Sequence, residues 1–95
     1  MSERSQVTDK IIKWAEKTPG IYAIKVHCDQ MQGAGIPDIL ACVNGKFVAV
    51  EAKRPSGGRL SKLQEHELRK IVKAGGVGAV CRSLEEFMEI VKGVE

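Results

Sequence analysis

The sequence has few cysteines, no long apolar run and no sign of a leader segment. Its three cysteines, Cys28, Cys42 and Cys81, include no Cys-x-x-Cys pair. This argues against a disulfide framework or a zinc ribbon and favours a reducing compartment. No apolar stretch approaches the ~20 residues that a membrane-spanning helix needs, and the N-terminus lacks the apolar region of a secretory signal. We therefore expect a cytoplasmic protein that does not enter membranes.

Several common catalytic and binding motifs are also missing. The glycine clusters at 33–35 and 57–58 match neither a P-loop nor a dinucleotide-binding fingerprint. No Ser/His/Asp or Cys/His arrangement has support beyond the presence of the residues. The run His27, Cys28 and Asp29 has no matching pair of ligands elsewhere, which argues against zinc. The net charge of +3 permits nucleic-acid binding but does not by itself indicate it.

The composition is that of one ordinary globular domain. Hydrophobic residues make up 43% of the chain and charged residues 28%, which is usual for soluble proteins. A chain of 95 residues holds one modest core. The sequence contains no repeat, low-complexity tract or linker, so we expect a single domain over residues 1–95.

The most informative segment is a predicted β-hairpin around Asn44-Gly45. Apolar runs flank this dipeptide on both sides, and it favours a type I′ turn, which needs positive φ at both central residues. A two-residue turn sets the register, so Val43 faces Lys46. If no bulge intervenes, the same register places Asp38 opposite Glu51, with Cβ atoms about 4.5–5.5 Å apart.

These facing carboxylates predict a metal site. Like charges directly opposite each other destabilise a sheet, and a cation between Asp38 and Glu51 offsets the repulsion. Ligands that are all oxygen suit Mg²⁺ or Mn²⁺ rather than zinc. Lys53 follows Glu51 by two residues and shares its face, where an ammonium can orient a water or stabilise charge on a phosphate. In the simpler alternative, these charges only occupy a solvated strand end.

Apolar periodicity and capping signals predict the remaining elements. Val7, Ile11 and Trp14 recur at helical spacing, so a first helix is expected from Ser5 or earlier to Lys17. The other predicted elements are a strand at 21–26, a helix at about 61–74, a strand at 77–81, and a last helix after Ser83, which forms a capping box with Glu86.

The predicted order α-β-β-β-α-β-α describes an α/β fold. Leu40 and Phe47 give an apolar character to the hairpin face that carries the carboxylates, and Ile39 and Val48 do so on the other face. Strands that are apolar on both faces are covered on both faces. The sequence therefore predicts a mixed β-sheet flanked by helices.

Pro37-Asp38 and Glu51-Ala52-Lys53 together resemble the two-part motif of the PD-(D/E)XK nuclease superfamily. A helix and a strand precede the motif, and an arginine- and glycine-rich stretch at 54–59 connects it to the next helix. Over residues 3–83 this layout looks most like the stand-alone VRR-NUC domains of bacteria and phages, and archaeal-type Holliday-junction resolvases share a similar layout. The resemblance implies a restriction-endonuclease-like core, and it is compatible with a phage-encoded protein in a bacterial host.

The resemblance also implies roles for the motif residues. Asp38 and Glu51 would bind Mg²⁺, for which Mn²⁺ can substitute, and the backbone carbonyl of Ala52 would be a further ligand. Lys53 would position the attacking water and stabilise charge on the phosphate oxygens.

Two further residues have both a functional and a structural interpretation. Glu3 shares a helix face with Val7 and Ile11 and resembles the acidic residue that VRR-NUC domains carry near the metal, but it also suits the positive end of the helix dipole. Gln64 lies on the inward stripe of its helix and resembles a glutamine that follows the lysine in the family. Gln64 also completes a capping box with Ser61, and both roles can hold together.

Positive charge is concentrated beside the proposed site. Arg54, Arg59 and Lys62 lie around the glycine-rich loop that follows Lys53. They are placed to contact phosphates and to position a nucleic-acid backbone without reading its sequence. Lysines elsewhere in the chain are interpreted as solvated surface.

These residues and the resemblance predict a metal-dependent endonuclease that hydrolyses DNA phosphodiester bonds. One chain offers one site and cutting both strands requires two, so we expect a homodimer that acts by shape on branched DNA such as four-way junctions. Two alternatives stay open. One is a nicking or restriction-type nuclease on duplex DNA, and the other is a non-catalytic DNA-binding subunit that keeps the fold.

Overall fold

The computed structural model describes residues 3–26 and 35–94. Within these ranges, helices and strands follow each other in the predicted order α-β-β-β-α-β-α. None of the described helices is long and apolar enough to cross a membrane. The elements are α1 (Glu3–Glu16), β1 (Ile21–Lys25), β2 (Ile39–Val43), β3 (Lys46–Ala52), α2 (Lys62–Lys73), β4 (Val77–Cys81) and α3 (Leu84–Lys92).

The strands form one mixed sheet in the spatial order β1-β2-β3-β4. β1 pairs with β2, and β2 with β3, in antiparallel orientation. β4 joins the other side of β3 in parallel orientation after the crossover through α2. This places β3 in the interior of the sheet, with a hydrogen-bonded neighbour on each side.

The hairpin has the predicted turn and register. Asn44 and Gly45 have φ angles of 50° and 86°, as a type I′ turn requires. Val43 pairs with Lys46, and the pairing continues without a bulge to Ile39. Local turn chemistry thus determines which residues of β2 and β3 face each other.

The main core lies between one face of the sheet and the helices α1 and α3. Ile11, Val48 and Phe87 are fully buried there. The rings of Trp14 and Phe87 meet edge to face, with centroids 5.9 Å apart, a preferred aromatic geometry. The other buried apolar residues of this cluster include Val7, Ile39, Ala41, Val43, Val50 and Val94.

The opposite face is covered only in part. α2 packs against β3 and β4, whereas Tyr22 and Phe47 on this face remain 70% and 48% exposed. The expectation that both faces of the hairpin are covered is therefore right for one face and wrong for much of the other. A helix about 10 Å wide covers about two strands spaced at about 4.8 Å.

The two predicted capping boxes have different outcomes. At α2 the box is complete, because the side chains of Ser61 and Gln64 each accept a hydrogen bond from the backbone of the other residue. At α3 the Ser83 hydroxyl accepts from the Glu86 N–H at 3.2 Å, but the Glu86 carboxylate accepts from the N–H of Arg82. The second half of the box at Ser83 is therefore wrong, since the return bond falls one residue earlier.

Candidate active site

Asp38 lies immediately before β2 and reaches across to β3. It is 8% exposed, and the preceding Pro37 is also buried. The Val26 N–H donates to the Asp38 main-chain carbonyl at 2.7 Å. The Ala52 N–H donates to Asp38 Oδ2 at 3.0 Å. The Val26 N–H thus fixes the Asp38 backbone, and the Ala52 N–H holds the carboxylate at the end of β3.

Glu51 belongs to β3 and is buried more completely than Asp38. It is 1% exposed, and it pairs with Val80 of β4. When the β2–β3 register is extended by one residue beyond Ile39 and Val50, Glu51 lies opposite Asp38. Burial of both acids does not fit the alternative in which they occupy a solvated strand end.

Lys53 follows the end of β3 and is tied to the start of α2. Its Nζ donates to Gln64 Oε1 at 3.1 Å. The same oxygen accepts from the Ser61 N–H at 2.9 Å, and the Gln64 N–H donates to Ser61 Oγ at 3.1 Å. Gln64 therefore caps the helix and holds the lysine at the same time. The Lys53 N–H donates to the Cys81 carbonyl at 2.9 Å, which fixes the backbone at this point.

The predicted basic cluster surrounds the loop after Lys53. Arg54, Arg59 and Lys62 are all exposed, so their charges are accessible to a ligand. Sequence reasoning missed Arg82, whose guanidinium donates to backbone carbonyls of this loop. No local motif marks Arg82, and its position becomes evident only from the parallel pairing of β4 with β3.

Other residues singled out by sequence lie outside what the structure describes. α1 begins at Glu3, but side chains are described from residue 6 onward in this helix, so a metal-binding role for Glu3 stays a prediction. His27, Cys28 and Asp29 belong to the segment 27–34, which is also outside the described residues.

Cys81 lies beside the site but is not a candidate nucleophile. It pairs with Ala52 in the parallel ladder and is fully buried. Burial, and to a smaller extent the negative charge of Glu86, raises the pKa of Cys81 from 9.0 to about 12. Because the thiolate is the nucleophile and the metal ligand, this thiol is inert near neutral pH.

The donor set fits a hard divalent cation. In the parts of the chain that the structure describes, no three His, Cys, Asp or Glu side chains gather into a metal cluster. Asp38 and Glu51 are two carboxylates, and the adjoining Ala52 has a backbone carbonyl. Mg²⁺ commonly takes one or two carboxylates and completes its shell with waters and substrate phosphates, so this oxygen set suits Mg²⁺ or Mn²⁺.

The element order and the mixed sheet define a restriction-endonuclease-like fold. Within that class the chain is similar to a solved structure described as a "VRR_NUC domain", with a TM-score of 0.81, 19% identity and full coverage of both chains. It is also similar to a "VRR_NUC domain protein", with a TM-score of 0.75 and 12% identity, over 94% of this chain and 84% of that chain. No protein-family model and no curated protein matches the sequence. The predicted resemblance to VRR-NUC domains is thus confirmed at the level of the fold.

Proposed function

We propose that this protein is a metal-dependent endonuclease that hydrolyses DNA phosphodiester bonds. The observation that carries the proposal is the burial of Asp38 and Glu51 at adjoining strand ends, with Lys53 held beside them by Gln64. A module that only binds DNA does not need like charges buried opposite each other, since such pairs destabilise a sheet. The similarity in fold to VRR_NUC domains also supports this function.

The side chains at the site would have different roles in hydrolysis. Asp38 and Glu51, with the Ala52 carbonyl, would hold Mg²⁺, which polarises the phosphate and lowers the pKa of a bound water. An ammonium carries three donors; one of those on Lys53 goes to Gln64, which leaves others for the attacking water or a phosphate oxygen. Because Gln64 is itself fixed by Ser61, the lysine is positioned before substrate arrives.

The exposed basic cluster is placed to bind the DNA backbone. Arg54, Arg59 and Lys62 lie within ten residues of Lys53 in sequence and follow the same strand end. Contacts of this kind position a duplex without reading its sequence, and their strength falls as salt rises. A domain of this size has little room for a separate recognition module, so we propose selectivity for DNA shape, with four-way junctions as the preferred substrate.

We also propose that two copies of the chain act together. One chain supplies one site, and closed two-fold symmetry is the commonest arrangement for oligomers. The open part of the sheet face that carries Asp38 and Glu51 exposes Tyr22 and Phe47, apolar surface that a second copy would cover. Light scattering of the purified protein should give twice the 10.4 kDa mass of one chain. A monomer mass at the concentrations used for cleavage would contradict the homodimer.

Cleavage assays on a panel of DNA substrates test the activity. Labelled four-way junction, flap and linear duplex are incubated with Mg²⁺, Mn²⁺ or EDTA. Removing a donor that stabilises charge in the transition state typically lowers kcat by about 10²–10³-fold, so Lys53→Ala should lose at least a hundredfold. Lys46→Ala is the matched control, because Lys46 is exposed at the opposite end of β3, roughly 20 Å away along the strand, and should cut like the wild type.

Each outcome separates one interpretation from the others. Metal-dependent cuts on junctions that Lys53→Ala loses and Lys46→Ala keeps support the proposal. Equal rates on linear duplex would instead favour a nicking or restriction-type enzyme. DNA binding that EDTA leaves unchanged, with no cleavage of any substrate, would overturn the nuclease and favour a non-catalytic DNA-binding subunit.

A further inference from the structure

The guanidinium of Arg82 binds the backbone of the loop that follows Lys53. Nη1 donates to the Arg54 carbonyl at 3.0 Å and also to the Gly57 carbonyl, and Nη2 donates to the Gly58 carbonyl at 3.0 Å. A guanidinium presents five N–H donors in a rigid planar fork. One side chain therefore holds three points of the segment 54–58.

The loop depends on such a contact because its glycines leave it many conformations. Gly57 and Gly58 have φ angles of 73° and 69°, in the left-handed region that glycine enters without a steric penalty. The same freedom means that fixing two consecutive glycines costs more conformational entropy than fixing other residues. Hydrogen bonds from a charged donor are stronger than those from a neutral one, so the guanidinium of Arg82 is well suited to offset that cost.

The position of Arg82 is set by rigid elements on both sides. It directly follows β4, and the parallel pairing of Cys81 with Ala52 brings the end of β4 next to the end of β3. The main-chain N–H of Arg82 donates to the Glu86 carboxylate on α3, and the neighbouring Ser83 caps that helix. The guanidinium is therefore presented to the loop from a fixed base.

The loop that Arg82 binds carries one arginine of the proposed DNA-binding cluster and leads directly into a second. Arg54 begins the segment and Arg59 follows it directly, and both are exposed. The Arg54 guanidinium lies over Gly57, since a Cβ at that glycine would be 3.0 Å from Arg54 Nη2. The conformation of the loop thus decides where these two charges are presented beside Lys53.

We infer that Arg82 is a positioning residue for DNA binding, which holds Arg54 and Arg59 in the orientation that meets the phosphates. This inference rests on the proposed function and assigns it a residue outside the motif. Arg82 acts through the loop and touches neither the substrate nor the reacting atoms. Its loss should therefore weaken DNA binding and raise KM while kcat for bound DNA stays close to that of the wild type.

Two variants and a matched control test the inference. Arg82→Lys keeps the charge but loses the planar fork, and Arg82→Gln removes both the charge and the fork. Arg69→Lys is the control, because Arg69 is an 81% exposed arginine on the outside of α2. With labelled four-way junction in EDTA, both Arg82 variants should raise Kd about tenfold, a change typical of residues that act through shared partners. The kcat should stay within about twofold, and Arg69→Lys should change neither constant.

Backbone relaxation by NMR and a double-mutant cycle show whether Arg82 acts through the loop. Arg82 bonds the carbonyls of Arg54, Gly57 and Gly58, so the order parameters of the loop amides should fall in Arg82→Lys relative to the wild type, with the core strands unchanged. In a background of Arg54→Ala and Arg59→Ala, Arg82→Lys should weaken binding no further. An undiminished effect in that background, or unchanged order parameters in the loop, overturns the inference. If the wild type cuts no DNA, only the proposed nuclease activity is overturned, because Kd and order parameters are measured without cleavage.

Discussion

Replacing Gly78 by alanine should destabilise the protein and loosen the site, because α2 packs directly on this glycine. A Cβ at position 78 would lie 2.9 Å from the backbone carbonyl oxygen of Leu68 and 3.4 Å from its Cα. Both atoms belong to the backbone of Leu68, a buried residue of α2, so rotating a side chain cannot relieve the clash. An ordinary non-bonded contact of about 3.5 Å is restored only if the helix moves by about half an ångström.

The cost of this movement follows from the packing of the core. Inserting one methyl into a close-packed interface typically costs about 1–3 kcal/mol, which for a domain of this size lowers Tm by roughly 5–20 °C. Gln64 lies one helical turn before Leu68 and accepts from Lys53 Nζ at 3.1 Å. A shift of α2 away from the sheet stretches this hydrogen bond, so the proposed DNA cleavage should fall along with the stability.

The same substitution at Gly93 provides the control. Gly93 is the C-cap of α3 with φ of −79°, and a Cβ there would lie 3.5 Å from its nearest neighbour, the Ile90 carbonyl oxygen. Gly93→Ala should leave the free energy of unfolding unchanged or raise it by about 0.4–1 kcal/mol, because alanine reduces the conformational entropy of the unfolded chain. Thermal and urea unfolding followed by circular dichroism compare the two variants. A Gly78→Ala protein that melts within about 2 °C of the wild type, a shift worth under ~0.5 kcal/mol, would refute the close packing of α2 on β4.

Two further predictions concern the core. Because the pKa of buried Cys81 is raised from 9.0 to about 12, the folded state favours the neutral thiol; this stability is fully present below pH 9 and lost as pH rises towards 12. Urea unfolding at pH 8 and pH 10 should therefore show the wild type losing about 1 kcal/mol more than Cys81→Ala over this interval, and parallel losses would contradict the shift. Phe87→Leu should lower the free energy of unfolding by about 1–3 kcal/mol, through lost volume and the lost edge-to-face contact with Trp14. The surface variant Val72→Ala, at a 55% exposed position, should stay within ~0.5 kcal/mol of the wild type in the same urea titration.

The features that sequence predicted well are those determined by short-range chemistry. Asn44-Gly45 specifies a two-residue turn, and the turn alone sets the pairing from Val43 back towards Asp38. The α2 cap is also local, since Ser61 and Gln64 are three residues apart. Because the positions of Asp38 and Glu51 follow from one turn, the acidic pair could be placed without knowledge of the rest of the fold.

The features that sequence missed depend on packing between distant elements. The open part of the sheet face follows from where the single helix α2 lies, and the apolar alternation of the hairpin carries no information about that. The Glu86 carboxylate accepts from the main-chain N–H of Arg82 rather than from that of Ser83, and this choice depends on the path of the chain after β4. Arg82 contacts Arg54 from 28 residues away, and only the choice of a parallel partner for β3 brings the two together.

The mixed polarity of the sheet explains why these groups meet at one end. β2 starts where the antiparallel β3 finishes, which brings Asp38 beside Glu51 and Lys53. β4 runs parallel to β3, so it also finishes at this end and delivers Arg82 to the loop after Lys53. An antiparallel β4 would place Arg82 at the hairpin end, out of reach of that loop. The strand directions therefore place Arg82, which no local sequence pattern reveals, at the same end of the sheet as Asp38 and Glu51, whose pairing is set by a local turn.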